Sequence, residues 1–144
     1  MQKTKLLLLL FSLLSLQAFG QTVHFKKVES YDLSYLLNNI EKTTDFKSLE
    51  SDLNVKVYLV SDPSGSAQTG ETDEVTASIY FAVSEYDESP EQYVYRLTSV
   101  YNPKFVKWIK DAGGPKLVIT YGSHNKIRTA TIQVTLKKLI IITR

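Results

Sequence analysis

Apolar and polar side chains alternate strictly along much of this sequence, and that alternation constrains the fold more than any other feature. Leu53, Val55, Val57 and Leu59 alternate with polar neighbours, as in a strand with one buried face. The same period recurs over the later segments 75–84, 93–101, 117–121, 127–136 and 139–142. Segment 105–109 is too short to assign. Turn-forming residues separate the segments, and short connections make neighbouring strands antiparallel. We therefore predict six or seven antiparallel strands.

One segment that precedes the strands has helical periodicity instead. Ser30 occupies an N-cap position, and Asp32 lies in the first turn, where a negative charge suits the helix dipole. Apolar residues then follow at i, i+3, i+4 and i+7, namely Leu33, Leu36, Leu37 and Ile40. A weaker helical spacing continues through Phe46, Leu49 and Leu53. We expect the first apolar stripe to pack against strands 53–59 and 75–83.

These patterns together predict a mainly β protein of the α+β class. The predicted architecture is an antiparallel β-sheet or sandwich of six or seven strands with one N-terminal amphipathic helix. A two-layer sandwich and a curved sheet that packs the helix on one face both satisfy the pattern.

The first twenty residues have the three-part pattern of a cleavable signal peptide. Lys3 and Lys5 precede an apolar run at 6–16, and the small residues Ala18 and Gly20 flank Phe19 before Gln21. The apolar run is shorter than the roughly 20 residues that span a membrane. We therefore predict a signal peptide at residues 1–20 and a single β-rich domain at 21–144. This predicts an exported protein, periplasmic or extracellular, without a transmembrane segment after cleavage.

Charge divides the predicted mature chain into two unlike halves. Residues 21–92 contain 5 Lys and 14 acidic residues, a net charge of −9. Residues 93–144 contain 10 basic residues and Asp111, a net charge of +9. If strands of the two halves interleave in one sheet, opposite charges face each other across neighbouring strands. We favour that interpretation over a basic face that binds an anionic partner.

Few residues in the sequence are suited to catalysis. The chain has no Cys, which excludes disulfides, thiolate nucleophiles and Cys-ligated metals. Its two histidines, His24 and His124, lie far apart in sequence, and the HExxH, GxSxG and phosphate-loop motifs are absent. The acidic loop 61–74 lacks the spacing of a calcium-binding EF-hand. We therefore predict no catalytic residue, no metal site and no cofactor.

Tyrosines cluster around the hairpin of segments 75–84 and 93–101, and the register of that hairpin decides what they do. Opposed residue numbers that sum to 178 place Tyr93 and Tyr95 on the core face, with Val83 opposite Tyr95. A sum of 177 places both on one surface with Tyr80, but it also buries Arg96 opposite Phe81, which is costly. We therefore favour the first register, in which most of these tyrosines pack in the core.

Two classes of function fit these residues. The first is an exported, non-catalytic binding or interaction domain. Tyr80 and Tyr101 are its predicted binding residues, because neither is assigned to the predicted core. Its partner is then a protein, peptide or glycan outside the cytoplasm, and the neutral mature charge argues against nucleic acid. The second class is a small exported hydrolase that uses carboxylates or a single His. The residue inventory favours the first.

Overall fold

The computed structural model describes residues 26–48, 52–62, 76–123 and 125–143. The chain divides into the units Met1–Ser30 and Tyr31–Arg144. In the first unit, described residues 26–30 are neither helix nor strand, and Lys27 pairs with Glu29 at 3.4 Å. The predicted signal peptide, His24 and His124 lie outside the described residues. Nothing in the described part of the chain is a helix long and apolar enough to cross a membrane.

Among its described residues, the second unit contains one short helix and eight strands. In chain order they are α1 (Tyr31–Asn38), β1 (Ile40–Ser48), β2 (Leu53–Ser61), β3 (Thr76–Glu85), β4 (Gln92–Tyr101), β5 (Lys104–Ile109), β6 (Lys116–Tyr121), β7 (Arg128–Thr135) and β8 (Lys138–Thr143).

The strands form two separate antiparallel sheets of four strands each. Sheet A has the order β1-β2-β3-β4, and sheet B has the order β5-β6-β7-β8. Sequence neighbours are therefore spatial neighbours within each sheet. This confirms the prediction of a mainly β, antiparallel protein with one helix. The predicted count of six or seven strands is wrong, because β1 was not expected and segment 105–109 is a full strand.

The two sheets pack face to face around one hydrophobic core. Alternate residues of β2 and β3 supply one side of it, and β6 and β7 supply the other. The alternation that dominates the sequence thus has its expected cause, because every second side chain of a central strand points between the sheets. The largest fully buried side chain is Phe81 in β3.

The helical spacing predicted beyond residue 40 is wrong, because Ile40–Ser48 forms β1. Lys42, Thr44 and Phe46 lie opposite Leu59, Val57 and Val55 of β2, which are core residues. The segment contains two adjacent threonines, which favour a strand. Pairing with β2 satisfies its backbone groups and places Phe46 against the core, so tertiary structure overrides the weak helical pattern.

The helix is also shorter than predicted and does not pack on the core. None of the eight residues of α1 is buried, and Leu33 and Leu37 are 44% and 60% exposed. The helix is held at the end of β2 instead. The Tyr35 hydroxyl donates to the Ser61 carbonyl, and the Ser61 amide donates to the Asn39 carbonyl at 3.0 Å. The predicted stripe therefore does not face strands 53–59 and 75–83.

Charge segregates between two consecutive parts of the chain, each of which contains one whole sheet, and this overturns the interleaved arrangement. Residues 31–101, which include sheet A, contain 13 acidic and 4 basic residues, a net charge of −9. Residues 104–143, which include sheet B, contain 8 basic residues and Asp111, a net charge of +7. Of the basic half 93–144, only β4 joins sheet A among the described strands, and Arg96 is its one charged residue, so opposite charges do not alternate across strands.

The β3–β4 hairpin keeps the predicted faces but not the predicted register. Phe81 lies opposite Tyr95 and Val83 opposite Tyr93, a sum of 176 rather than 178. The shift is two residues, so it preserves the face of every side chain. Tyr93 and Tyr95 lie on the core side, and Arg96 lies on the outer face opposite Tyr80.

We predict that the helix stripe contributes little to stability. Leu33→Ala and Leu37→Ala should each lower the free energy of unfolding by less than about 0.5–1 kcal/mol, because both side chains are largely exposed. Phe81→Ala should lower it by about 3–5 kcal/mol through loss of burial and creation of a cavity. Urea denaturation followed by circular dichroism measures all three. A loss at Leu33 or Leu37 as large as that at Phe81 would contradict the observed helix position.

Candidate functional site

One lateral side of the sandwich is closed by aromatic contacts between β1 and β5. The Trp108 indole N–H donates to the Thr44 hydroxyl at 3.0 Å, and the Phe46 and Trp108 rings lie 5.3 Å apart. The Lys42 ammonium lies 5.9 Å from the centre of the Phe105 ring. These side chains bridge the two sheets along their first edge strands. We call this the closed side.

The sandwich is open elsewhere, beside β4 and β8. A cleft of about 370 Å³ lies there between the two sheets, a volume within the range of small-ligand sites. Its lining is mostly apolar and comes from both sheets: Arg96, Leu97, Thr98, Val100, Ile119, Tyr121, Ala130, Ile132 and Ile141. We call this the open side, and the space within it the cleft.

Hydrogen bonds join the sheets at positions that flank the cleft residues of β4. Before them, the Tyr95 hydroxyl donates to the Leu136 carbonyl at 2.6 Å. After them, the Gly122 amide donates to the Tyr101 carbonyl at 2.8 Å. Gly122 has φ of 123°, and a Cβ there would lie 2.2 Å from the Lys126 carbonyl oxygen, so glycine is required. The two sheets are thus joined by hydrogen bonds at both ends of the cleft along β4.

The four edge strands differ in how regular they are. An extra residue interrupts β1 at Glu41, β4 at Thr98–Ser99 and β5 at Val106, whereas the β7–β8 ladder is unbroken from Lys138 to Thr143. The β4 bulge includes Ser99 at φ of 53°. Bulges discourage an edge from pairing with another chain. The edge of β8 lacks this protection, although it lies beside the cleft.

Arg96 is the charged residue among those that line the cleft. Its Nε and terminal nitrogen donate to the Ser78 hydroxyl at 3.2 and 3.0 Å, and Ser78 donates to Asp62 at 2.8 Å. The guanidinium carbon lies 5.1 Å from the centre of the Tyr80 ring. Ser78 is fully buried, whereas the Arg96 side chain is 46% exposed. One edge of the Arg96 guanidinium group is therefore held by Ser78, and the N–H groups of its other edge remain as donors.

This arrangement changes the expected role of Tyr80. Both predicted binding residues lie on the outer face of sheet A, but they are not adjacent. Tyr101 lies opposite Thr76, four positions along β3 from Tyr80, a separation of about 13 Å. Tyr101 is 47% exposed, whereas the Tyr80 ring supports Arg96. Of the two, Tyr101 is the more accessible ring.

Other tyrosines of sheet A serve structural contacts. The Tyr95 hydroxyl reaches sheet B, and the Tyr93 hydroxyl donates to Glu91 at 3.1 Å, which raises the pKa of Tyr93. Burial, and to a smaller extent the Asp62 carboxylate, raises the pKa of Tyr35. The phenols of Tyr35 and Tyr93 therefore keep their protons over the physiological pH range and act as hydrogen-bond donors.

Catalytic and metal-binding groupings were sought in the same part of the chain. Within residues 26–48, 52–62, 76–123 and 125–143, no three His, Cys, Asp or Glu side chains are placed to hold a metal ion. Asp62 is the described part of the acidic loop 61–74 and is bonded to Ser78; Glu71, Asp73 and Glu74 lie outside the described residues.

A second cleft, also of about 370 Å³, lies near the turn ends of the sandwich. Asp52, Glu85, Leu136 and the 112–114 turn contribute to its lining. It is formed by turns and by the ends of central strands, so it is not connected with an exposed strand edge.

Sequence reasoning missed the cleft residues. Leu97 and Ile141 lie opposite core residues of the neighbouring strands, and Val100 does so only because of the β4 bulge, so the period of two does not reveal a cleft at these positions. One signal was present in the sequence: residues 140–142 are three consecutive isoleucines. Such a run in an edge strand exposes apolar surface on one face or the other.

Comparison with known proteins gives no relative: no family model, curated protein or solved structure matches the chain.

We predict that Ser78 is essential to the Arg96 anchor. Ser78→Ala should lower the free energy of unfolding by about 1–3 kcal/mol, because it removes the shared partner of Asp62 and Arg96. Ser84 lies on the same face of β3 and has no hydrogen-bond partner among the described side chains, so Ser84→Ala is a matched control expected within about 0.5 kcal/mol of the parent. Chemical denaturation measures both. Equal losses would contradict a specific anchor.

Proposed function

We propose that this protein is an exported, non-catalytic binding domain whose open side holds its partner. The observation that carries the proposal is the apolar cleft between β4 and β8, bordered by the anchored Arg96. A rigid scaffold with an apolar concavity and a few ordered polar groups is the usual form of a binding site.

The chemistry of the open side suits a partner with both apolar and polar groups. Leu97, Val100 and Ile141 offer apolar contact in the cleft. On the adjoining outer face of sheet A, Arg96 offers directed donors to a carbonyl or carboxylate, and its contacts with Tyr80 and Ser78 reduce the entropy it loses on binding. Buried arginine and tyrosine contacts dominate many interfaces. A protein, peptide or glycan outside the cytoplasm is the class of partner proposed.

Tyr80 and Tyr101 retain separate roles in this proposal. Tyr80 positions Arg96 through its ring, whereas Tyr101, with its exposed side chain, extends the contact surface along the outer face at the end of β4. Substitution of either residue is expected to weaken binding, Tyr80 indirectly and Tyr101 by loss of direct contact.

The hydrolase alternative has less support from the described residues. Asp62 is bonded to Ser78 and lies 4.0 Å from Arg96, and Glu91 accepts from Tyr93 and lies 3.9 Å from Lys137. Both carboxylates are thus already engaged by neighbouring side chains, which suits structure or recognition better than proton transfer. The proposed export rests on the sequence pattern of residues 1–20.

Filling the cleft tests the proposal. The purified protein is applied to peptide and glycan arrays, together with Leu97→Trp, which places a larger side chain in the cleft. Val106→Trp is the matched control, because Val106 is an exposed apolar residue on the closed side. We expect ligands of the parent to bind the control equally and Leu97→Trp at least about tenfold more weakly.

Two results would contradict the proposal. One is a set of array ligands that bind Leu97→Trp as well as they bind the parent. The other is turnover of esterase, glycosidase, phosphatase or peptidase substrates that is lost in a folded His24→Ala or His124→Ala variant. The second result would favour the hydrolase.

A further inference from the structure

Strand β8 presents an edge that is open to pairing. Sheet B ends at β8, and its ladder with β7 has no bulge. The strand contains Leu139 and three consecutive isoleucines, and Ile141 and Ile142 are 52% and 41% exposed. A regular apolar edge without proline is the kind of strand that accepts another strand.

The cleft lies where the side chains of an added strand would point. Ile141 is opposite Ile132 of the core and lines the cleft, so the inner face of β8 faces it. Side chains of a strand alternate between the two faces of a sheet. Every second side chain of a strand added beyond β8 would therefore point toward the cleft, where Leu97 and Val100 provide apolar contact.

Basic residues surround this edge. Lys137 precedes β8 and Lys138 is its first residue, Arg128 begins β7, and Arg96 borders the cleft. Lys137 lies near Glu91, and Arg96 lies near Asp62. Arg128 and Lys138 have no ion-pair partner within the part of the chain that the structure describes. The edge thus favours a strand with acidic residues at its ends.

The geometry points to strand addition: we infer that the open side binds an extended peptide segment, apolar at alternate positions and acidic at its ends, as a fifth strand of sheet B. This inference rests on the proposed function and names the partner of the same site. Main-chain hydrogen bonds to β8 supply affinity, and the cleft selects the alternate apolar side chains. A second copy fits less well, because its own β8 would bring a second basic sheet to the same edge.

The test uses a fluorescein-labelled synthetic peptide in which three valines alternate with threonines between pairs of glutamates. Fluorescence anisotropy measures its binding to the purified protein. The strand-addition model expects saturable binding, weakened about tenfold or more when the glutamates are replaced by lysines. It also expects loss of binding when the central valine is replaced by proline, which removes a main-chain donor.

Protein variants locate the site. Ile141→Lys introduces a charge at the cleft and should abolish peptide binding, and the milder Ile141→Thr should weaken it. Val106→Lys is the matched control, because Val106 is similarly exposed on edge strand β5 of the closed side. It should bind the peptide within about twofold of the parent. Circular dichroism confirms that each variant is folded.

The outcomes separate this inference from the proposed function. The apolar dye 1-anilinonaphthalene-8-sulfonate reports whether the cleft takes any apolar ligand, with Leu97→Trp as its control. Dye binding in the cleft without peptide binding would overturn strand addition and leave the proposed function standing. Failure of both probes would overturn both. A dimer, detected by sedimentation, that Ile141→Lys dissociates and the peptide cannot displace would overturn the peptide in favour of a second copy.

Discussion

Each sheet is built from four consecutive strands, and this constraint determines most of what the molecule exposes. Because no described strand crosses between the sheets, the described part of the fold has four edge strands. The chain passes from sheet A to sheet B through Asn102, at φ of 43°, and the buried Pro103. The same connectivity separates an acidic part of the chain, residues 31–101, from a basic part, residues 104–143.

The four edge strands differ in how well they are protected from pairing with another chain, and the proposed function follows from that difference. On the closed side, Trp108 and Phe46 fill the space between β1 and β5, and both strands are bulged. On the open side, the bulge in β4 and the anchored Arg96 protect one edge, whereas β8 remains regular and apolar. An exposed apolar edge favours aggregation unless a partner covers it, so its presence is informative about function.

Alternation in the sequence predicted β2, β3, β4, β6 and β7 and the core residues on them, because burial of one face imposes a period of two. It failed at β1, where Phe46 and Leu53 happen to share helical spacing and pairing with β2 decides the structure. The faces of Tyr95 and Arg96 were predicted correctly, although the hairpin register differed by two residues. The cleft was beyond prediction, because it depends on the distance between two edges that are remote in sequence.

The central claim, that one side of the sandwich is open and the other closed, is tested most directly by thiol accessibility. The chain contains no Cys, so Leu97→Cys and Phe105→Cys each introduce a single thiol, the first at the open side and the second at the closed side. Both side chains are partly buried in the parent. The experiment compares the rates at which the two thiols react with N-ethylmaleimide under native conditions. Each rate is divided by the rate of the same thiol in denaturant. Our account predicts that Leu97→Cys reacts at least about tenfold faster. Equal rates, or a faster reaction at Phe105→Cys, would contradict it.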